Sequence, residues 1–332
     1  MCISALDPYL DGTSSIYISK TGILNSINFN AIPCSSSEFL MDKYYIRDVS
    51  STAEIISIKQ ERQEMNYDSA ALYGGLDYFL DEKMLSEQSS RYKMQYQSEN
   101  FLAVRGEDED REGLAYLEWT KTEVDSIAQR LVRMNCDTIL YKDCYGVEES
   151  IKNMDEHSPS IIHLATHGFY LYDEEHRNNK TYASNRNGMS SKLQPLLYSG
   201  LHMSGSARVW YGEQPIEGID DGILTAEEIS WLDLSNTKLV VLSACDSGKG
   251  AYDEVEGVVG LQKGFKKAGV QSIVMSLWRV PDQATYLLME KFYQYMSERE
   301  PRHQALMKAM RDIRNMPGYS SPHNWAAFVM LD

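Results

Sequence analysis

What this chain lacks narrows its possible roles first. No stretch approaches the ~18 consecutive apolar residues of a membrane span, so no membrane segment is expected. The first 20 residues carry Asp7 and Asp11, hold no base before Lys20 and contain no long apolar segment, so no signal peptide is expected either. Cysteine is sparse. Cys2, Cys34, Cys136, Cys144 and Cys245 are odd in number, widely scattered and never spaced as CxxC. That pattern argues against a disulfide scaffold and against a structural zinc site. Basic residues are short: 32 Lys and Arg stand against 48 Asp and Glu, a formal net charge of −16. A phosphate backbone would be repelled overall, so no direct nucleic-acid partner is expected. The densest basic group, Lys263, Lys266 and Lys267, fits one solvated helix face. A phosphate-binding loop is missing too: in SACDSGKG, Lys249 precedes Gly250 instead of Ser or Thr, and Ser243 stands where the first glycine belongs. What remains is a globular chain of 332 residues and 43% hydrophobic content, expected in the reducing cytoplasm with no metal or cofactor.

Two stretches stand out in what is present. Lys238 to Gly250 reads KLVVLSACDSGKG, a short apolar run that opens at Cys245 into a glycine-containing turn. Ser160 to Gly168 reads SIIHLATHG and ends in His167 and Gly168 after the same kind of run. Both runs predict strands buried on both faces, as in a parallel sheet. Open α/β folds put their sites at the carboxyl edge of such strands. A thiol there is either a buried, inert cysteine or a nucleophile. A thiolate attacks, and a free thiol near pKa 8.5 needs a base; a neighbouring imidazole supplies one. His163 points to the same face as Ala165 and His167 by alternation and is expected to be a packed core histidine.

Along the chain, Ser15–Ser19 and Ile23–Phe29 predict a hairpin across Lys20, Thr21 and Gly22, and Tyr44–Val49 a strand. A helix is expected from Ala53 to Gln60, then a buried strand Ala70–Tyr73 stopped by Gly74 and Gly75. The polar stretch 77–113, with its charge run RGEDEDRE, predicts a long mobile connection. This divides the chain into an N-terminal portion, 1–112, and a core, 113–332. In the core, helices are expected at Thr120–Met134 (capped by Thr120 or Thr122), Glu148–Met154, Thr225–Leu232, Glu256–Ala268, Asp282–Met296 and Arg302–Arg314. Strands fall at Thr138–Tyr141, Ser272–Leu277 and Ala326–Met330. The alternation is that of an α/β fold with a mostly parallel sheet. Tyr170 to Gly222 holds a polar tract and a hairpin-like LLYSGLHMSGS, readable as a lid over a site or as a tolerated insertion. Arg177, Lys180, Arg186 and Lys192 make residues 172–192 an expected place of self-cleavage or disorder.

HLATHG, LSACDSGKG, EGVVGLQKGFKKAGVQSIVMSLWRVPDQAT and HNWAAFVMLD together resemble the CHAT family of caspase-like cysteine peptidases, in the group of caspases, metacaspases, gingipains and separase. The likeness is most specific from Ile161 to Leu331; SSIYISKTGILNSINFNAIP and AALYGGLDY resemble the family's amino-terminal portion more loosely. It implies a caspase-like three-layer sandwich with a β-rich N-terminal portion, and cleavage of protein or peptide substrates. The catalytic pair would be Cys245 as nucleophile and His167 as acid and base, with the backbone N–H groups of Gly168 and Cys245 holding the oxyanion. The pattern LW-x-V-x-D is similar to that of separase, where this aspartate lies at the base of a pocket for a basic residue. Carried over, the residue is Asp282, with Trp278 as a pocket wall and Ser276 to Arg279 bordering the cleft. Asp282 reads equally as a cap on its own helix from Gln283. An alternative function is a catalytically silent caspase-like module that binds partners. Family members often carry helical repeats ahead of this domain. None is seen here, so the chain is expected to be a fragment or to take its regulation from a separate protein partner.

Overall fold

The computed structural model describes residues 7–35, 38–49, 51, 55, 66–92, 113–170, 194–244, 251–253 and 257–332. Its centre is a sheet of eight strands: β1 (Ser15–Ile18), β2 (Tyr45–Asp48), β3 (Ser69–Leu76), β4 (Asp137–Asp143), β5 (Ile161–Leu164), β9 (Leu239–Leu242), β12 (Ser272–Ser276) and β13 (Phe328–Leu331). Their order is β1-β2-β13-β12-β9-β5-β3-β4, and every adjacent pair is parallel except β12 with β13. Strands from the first 112 residues thus share one sheet with those of the remainder.

Strand alternation sorts the core into two layers. Ala70, Leu72, Ile161, Ala165, Leu239, Val241 and Val274 face one side. They pack on three long helices, α2 (Glu118–Arg133), α7 (Asp282–Ser297) and α8 (Arg302–Asn315). Ala71, Tyr73, Ile162, Leu164, Val240, Leu242 and Ile273 face the other, under α3 (Glu148–Lys152), α5 (Ala226–Ile229) and α6 (Leu261–Lys267). With every residue buried, and all but His163 apolar, β5 and β9 are covered on both faces, as a central parallel strand must be. The architecture is therefore a three-layer α/β sandwich.

A second sheet grows from the carboxyl edge of the first. β6 (Gly168–Tyr170) leaves directly after His167 and pairs antiparallel with β7 (Ser199–His202), which pairs with β8 (Ile223–Thr225). α4 (Ala207–Trp210) follows β7, and an antiparallel ribbon, β10 (Ala251–Asp253) with β11 (Gly257–Val259), follows β9.

Several elements depart from the expected plan. The hairpin does not form: β1 pairs in parallel with β2, and residues 22–26 make a 3-10 turn. Asn28 explains the route, because its side-chain amide donates to the carbonyls of Ala326 and Phe328 and pulls the chain across to β13. β3 runs through Gly74 and Gly75 to Leu76, with a register shift after Tyr73. A Cβ on Gly74 would stand 2.5 Å from the Thr120 carbonyl oxygen, so the glycines admit α2 and do not end the strand. The polar stretch after residue 77 contains α1 (Glu82–Ser89), capped by Asp81, which accepts from the Met84 N–H. LLYSGLHMSGS supplies the central strand β7 in place of a hairpin. The helix expected from Glu256 starts at Leu261. The expected helix 53–60 and the loop 172–192 fall on residues outside the described ones, the former apart from Ile55.

Candidate active site

A cleft of about 290 Å³ opens at the carboxyl ends of β5, β9 and β12. Thr166, His167 and Gly168 reach it from β5, Ser243 and Ala244 from β9, and Ser276, Arg279, Val280 and Asp282 from the β12–α7 connection. Residues 113–117, just before α2, complete the wall with Gly113, Ala115 and Leu117. Strand order brings these together. β5 and β9 are parallel neighbours in register, Leu164 beside Leu242, so the residues following both strands emerge at one edge.

His167 is half-buried, and its Nε2 lies 2.7 Å from the carbonyl oxygen of Ala115. A carbonyl only accepts, so Nε2 carries the proton and Nδ1 is the basic nitrogen of the neutral ring. Desolvation lowers the His167 pKa from its usual 6.5, outweighing the Ala115 bond and the Asp282 carboxylate, which act the other way. The ring is therefore neutral at pH 7. Its surroundings are aromatic: Tyr78 lies 5.2 Å away and His202 6.5 Å, centroid to centroid. His202 is fully buried and its pKa is pushed down to about 3, by burial first and by His167 second. Thr166 ties this wall to the small sheet, donating its hydroxyl to the His202 carbonyl and accepting from Tyr78 at 3.0 Å.

Gly168 opens β6 as an edge residue. Gly168 and Leu201 face each other across the β6–β7 ladder, and the bond beside them runs from the His202 N–H to the His167 carbonyl at 2.9 Å. That spacing makes them a non-hydrogen-bonded pair, so the Gly168 N–H is directed away from β7. On the β9 side, the Ser276 hydroxyl donates to the Ala244 carbonyl at 2.7 Å and fastens the end of β9 to β12.

Asp282 lines the same cleft as His167 but caps a helix other than its own. α7 begins at Asp282 itself, with Pro281 in the cap position. The Asp282 Oδ2 accepts the Trp119 N–H at 3.0 Å, in the first turn of α2. That corrects both expected caps, since neither Asp282 on its own helix nor a Thr120 or Thr122 N-cap on α2 forms. α2 starts at Glu118 after Leu117, and Thr120 donates its hydroxyl back to the Leu117 carbonyl. Burial raises the Asp282 pKa, against the Trp119 bond and His167, which lower it.

His167, Gly168 and Asp282 thus line one cleft, and of the stretch Ser276 to Arg279 the two end residues line it too. Trp278 is not among the lining residues; its indole N–H donates to the His323 carbonyl at 3.2 Å. Cys245 and Asp246 lie outside the described residues, and the chain is described up to Ala244 in the cleft wall. His163 is a core histidine, as expected. Its Nε2 meets Glu123 at 2.8 Å and its Nδ1 meets Tyr293 at 3.2 Å, all three buried. The role of Ala115 escaped the sequence, because a backbone carbonyl has no residue signature. The only signal was an apolar segment, GLAYL, directly after the charge run.

A family model described as "CHAT domain" matches residues 1–332. Tetratricopeptide repeat protein 28 of Mus musculus is 32% identical over 132 residues, covering 38% of this chain and 5% of that protein. The Homo sapiens protein of the same name is 32% identical over 109 residues, covering 33% and 4%. The match therefore spans only a small part of these relatives. Among solved structures, the Arg-specific cysteine proteinase gingipain R is similar over 87% of this chain and 54% of its own (TM-score 0.45, 10% identity). The Saccharomyces cerevisiae separase–securin complex is similar over 90% of this chain and 14% of its own (TM-score 0.45, 14% identity).

Proposed function

The chain belongs to the CHAT domain family, and on that premise we propose that it is a cysteine endopeptidase working through His167 and Cys245. The observation that carries this reading is the β5–β9 register: Leu164 pairs with Leu242, and His167 and Cys245 each follow three residues further on. The chain after β9 reaches the cleft at Ser243 and Ala244, and the chain after β5 reaches it at Thr166, His167 and Gly168.

In this mechanism the neutral His167 takes the thiol proton on Nδ1 while its Nε2–H stays on Ala115. The Cys245 sulfur adds to the scissile carbonyl. The oxyanion is held by the N–H groups of Gly168 and Cys245; removing one such donor typically costs about 3 kcal/mol of transition-state stabilisation. The imidazolium then protonates the leaving amine as the C–N bond breaks, and a thioester forms. Water, deprotonated by His167, attacks the thioester and releases the acid and the thiol. Asp282 selects a basic residue before the scissile bond: one carboxylate oxygen caps α2 and the other serves the P1 side chain.

A peptidyl electrophile with Arg at P1 tests the pair. Wild type labels on Cys245, and labelling vanishes in Cys245→Ala. A folded wild type that never labels overturns the peptidase and leaves the partner-binding module.

A further inference from the structure

We infer that residues 113–117 form a strap that sets the orientation of His167, and that Tyr211, outside the cleft, is a positioning residue because it pins the strap. This rests on the peptidase reading for its catalytic meaning, though the geometry stands by itself.

The strap is otherwise weakly held. Gly113, Ala115 and Tyr116 are exposed and belong to no helix or strand. Ala115 nevertheless presents the carbonyl that fixes the His167 tautomer, so something must hold it still. Two anchors do so on its N-terminal side. The Leu114 side chain, only 6% exposed, plugs a small apolar cluster with Leu76, Tyr78, Trp210 and Ile223. The Leu114 N–H donates to the Tyr211 hydroxyl at 2.9 Å. Tyr211 is itself fixed, since its backbone closes α4 on the Ala207 carbonyl at 2.9 Å and its ring stacks on Phe79. On the C-terminal side, Leu117 is held through Thr120, whose hydroxyl accepts the Gly75 N–H at 2.9 Å, and Asp282 holds Trp119. The Ala115 carbonyl is strung between these two ends, one residue beyond the Tyr211 bond.

Tyr211→Phe in the full chain tests this, because it removes one hydroxyl and keeps the stacking ring. With 15N-histidine label, and His167→Gln to assign the signals, wild type is expected to show the Nε2–H tautomer alone. The variant is expected to show both tautomers and a His167 pKa lowered further, because the Ala115 bond that raises it is weakened. The groups that titrate or carry charge around the ring are Tyr78, His202, Arg279 and Asp282, and the variant alters none of them. With a peptide substrate, kcat is expected to fall about tenfold at unchanged KM, the loss of about one net hydrogen bond. Leu114→Ala should move the same readouts in the same direction, so the strap can be tested even if one variant folds poorly. An unchanged His167 tautomer and titration in both folded variants overturns the strap. If wild type cleaves nothing while the variants still shift the tautomer, the strap stands and the peptidase falls.

Discussion

Asp282 caps α2 and, in the proposed mechanism, also binds the P1 side chain, and the choice of substitution separates the two roles. Its carboxylate accepts the Trp119 N–H at 3.0 Å and lines the cleft beside His167. Asp282→Asn keeps an oxygen acceptor for the cap and discards the charge; Asp282→Ala discards both. A charge-assisted hydrogen bond to a P1 guanidinium is worth about 1.5–3 kcal/mol, roughly a 10- to 150-fold preference in kcat/KM for P1-Arg over P1-Leu. Both variants should lose that preference. Stability should part them. Losing the cap costs about 1 kcal/mol in Asp282→Ala, whereas Asp282→Asn should match or exceed wild type at pH 7. The sign follows from burial, which raises the Asp282 pKa in the folded state. Above the unfolded value near 3.8 the unfolded chain then binds fewer protons, so the ionisable group lowers stability as pH rises through the folded pKa. Asn removes that penalty. Peptide pairs differing only at P1 and urea melts at pH 4 and 7 give both readouts. Retained Arg preference in Asp282→Asn, or equal stability of the two variants at pH 7, would refute the reasoning.

Gly74→Ala should destabilise the protein by about 1–3 kcal/mol in denaturant melts, because the new Cβ meets the Thr120 backbone oxygen at 2.5 Å and neither partner can rotate aside. A stability equal to wild type would mean that α2 does not lie so close to β3. The acid limb of kcat/KM should fall below pH ~6.5, since desolvation lowers the His167 pKa. An acid limb at or above that value, in a substrate with no titrating group of its own, would contradict the buried neutral ring.

Much of the fold was legible in the chain because it rests on local periodicity. Near-continuous apolar runs, Ile161–Leu164 broken only by His163 and Leu239–Leu242 unbroken, can only be satisfied between two layers of helices, and that is where β5 and β9 lie. The amphipathic patterns of α7 and α8 likewise place their starts at Asp282 and Arg302. The place of His167 was legible for the same reason: it follows one such run, and buried parallel strands meet at a common edge, where the cleft opens. Contacts distant along the chain were decided by the tertiary structure alone. Asn28 reaching Ala326 and Phe328 turned an expected hairpin into the parallel pair β1–β2. Asp282 found its partner in Trp119 instead of in its own helix. The Ala115 carbonyl became the acceptor for His167 although any residue there would have carried one. Periodicity records which face of an element is buried. It holds no record of which backbone groups, distant along the chain and chemically identical to all the others, the packed layers bring within hydrogen-bonding distance of these side chains.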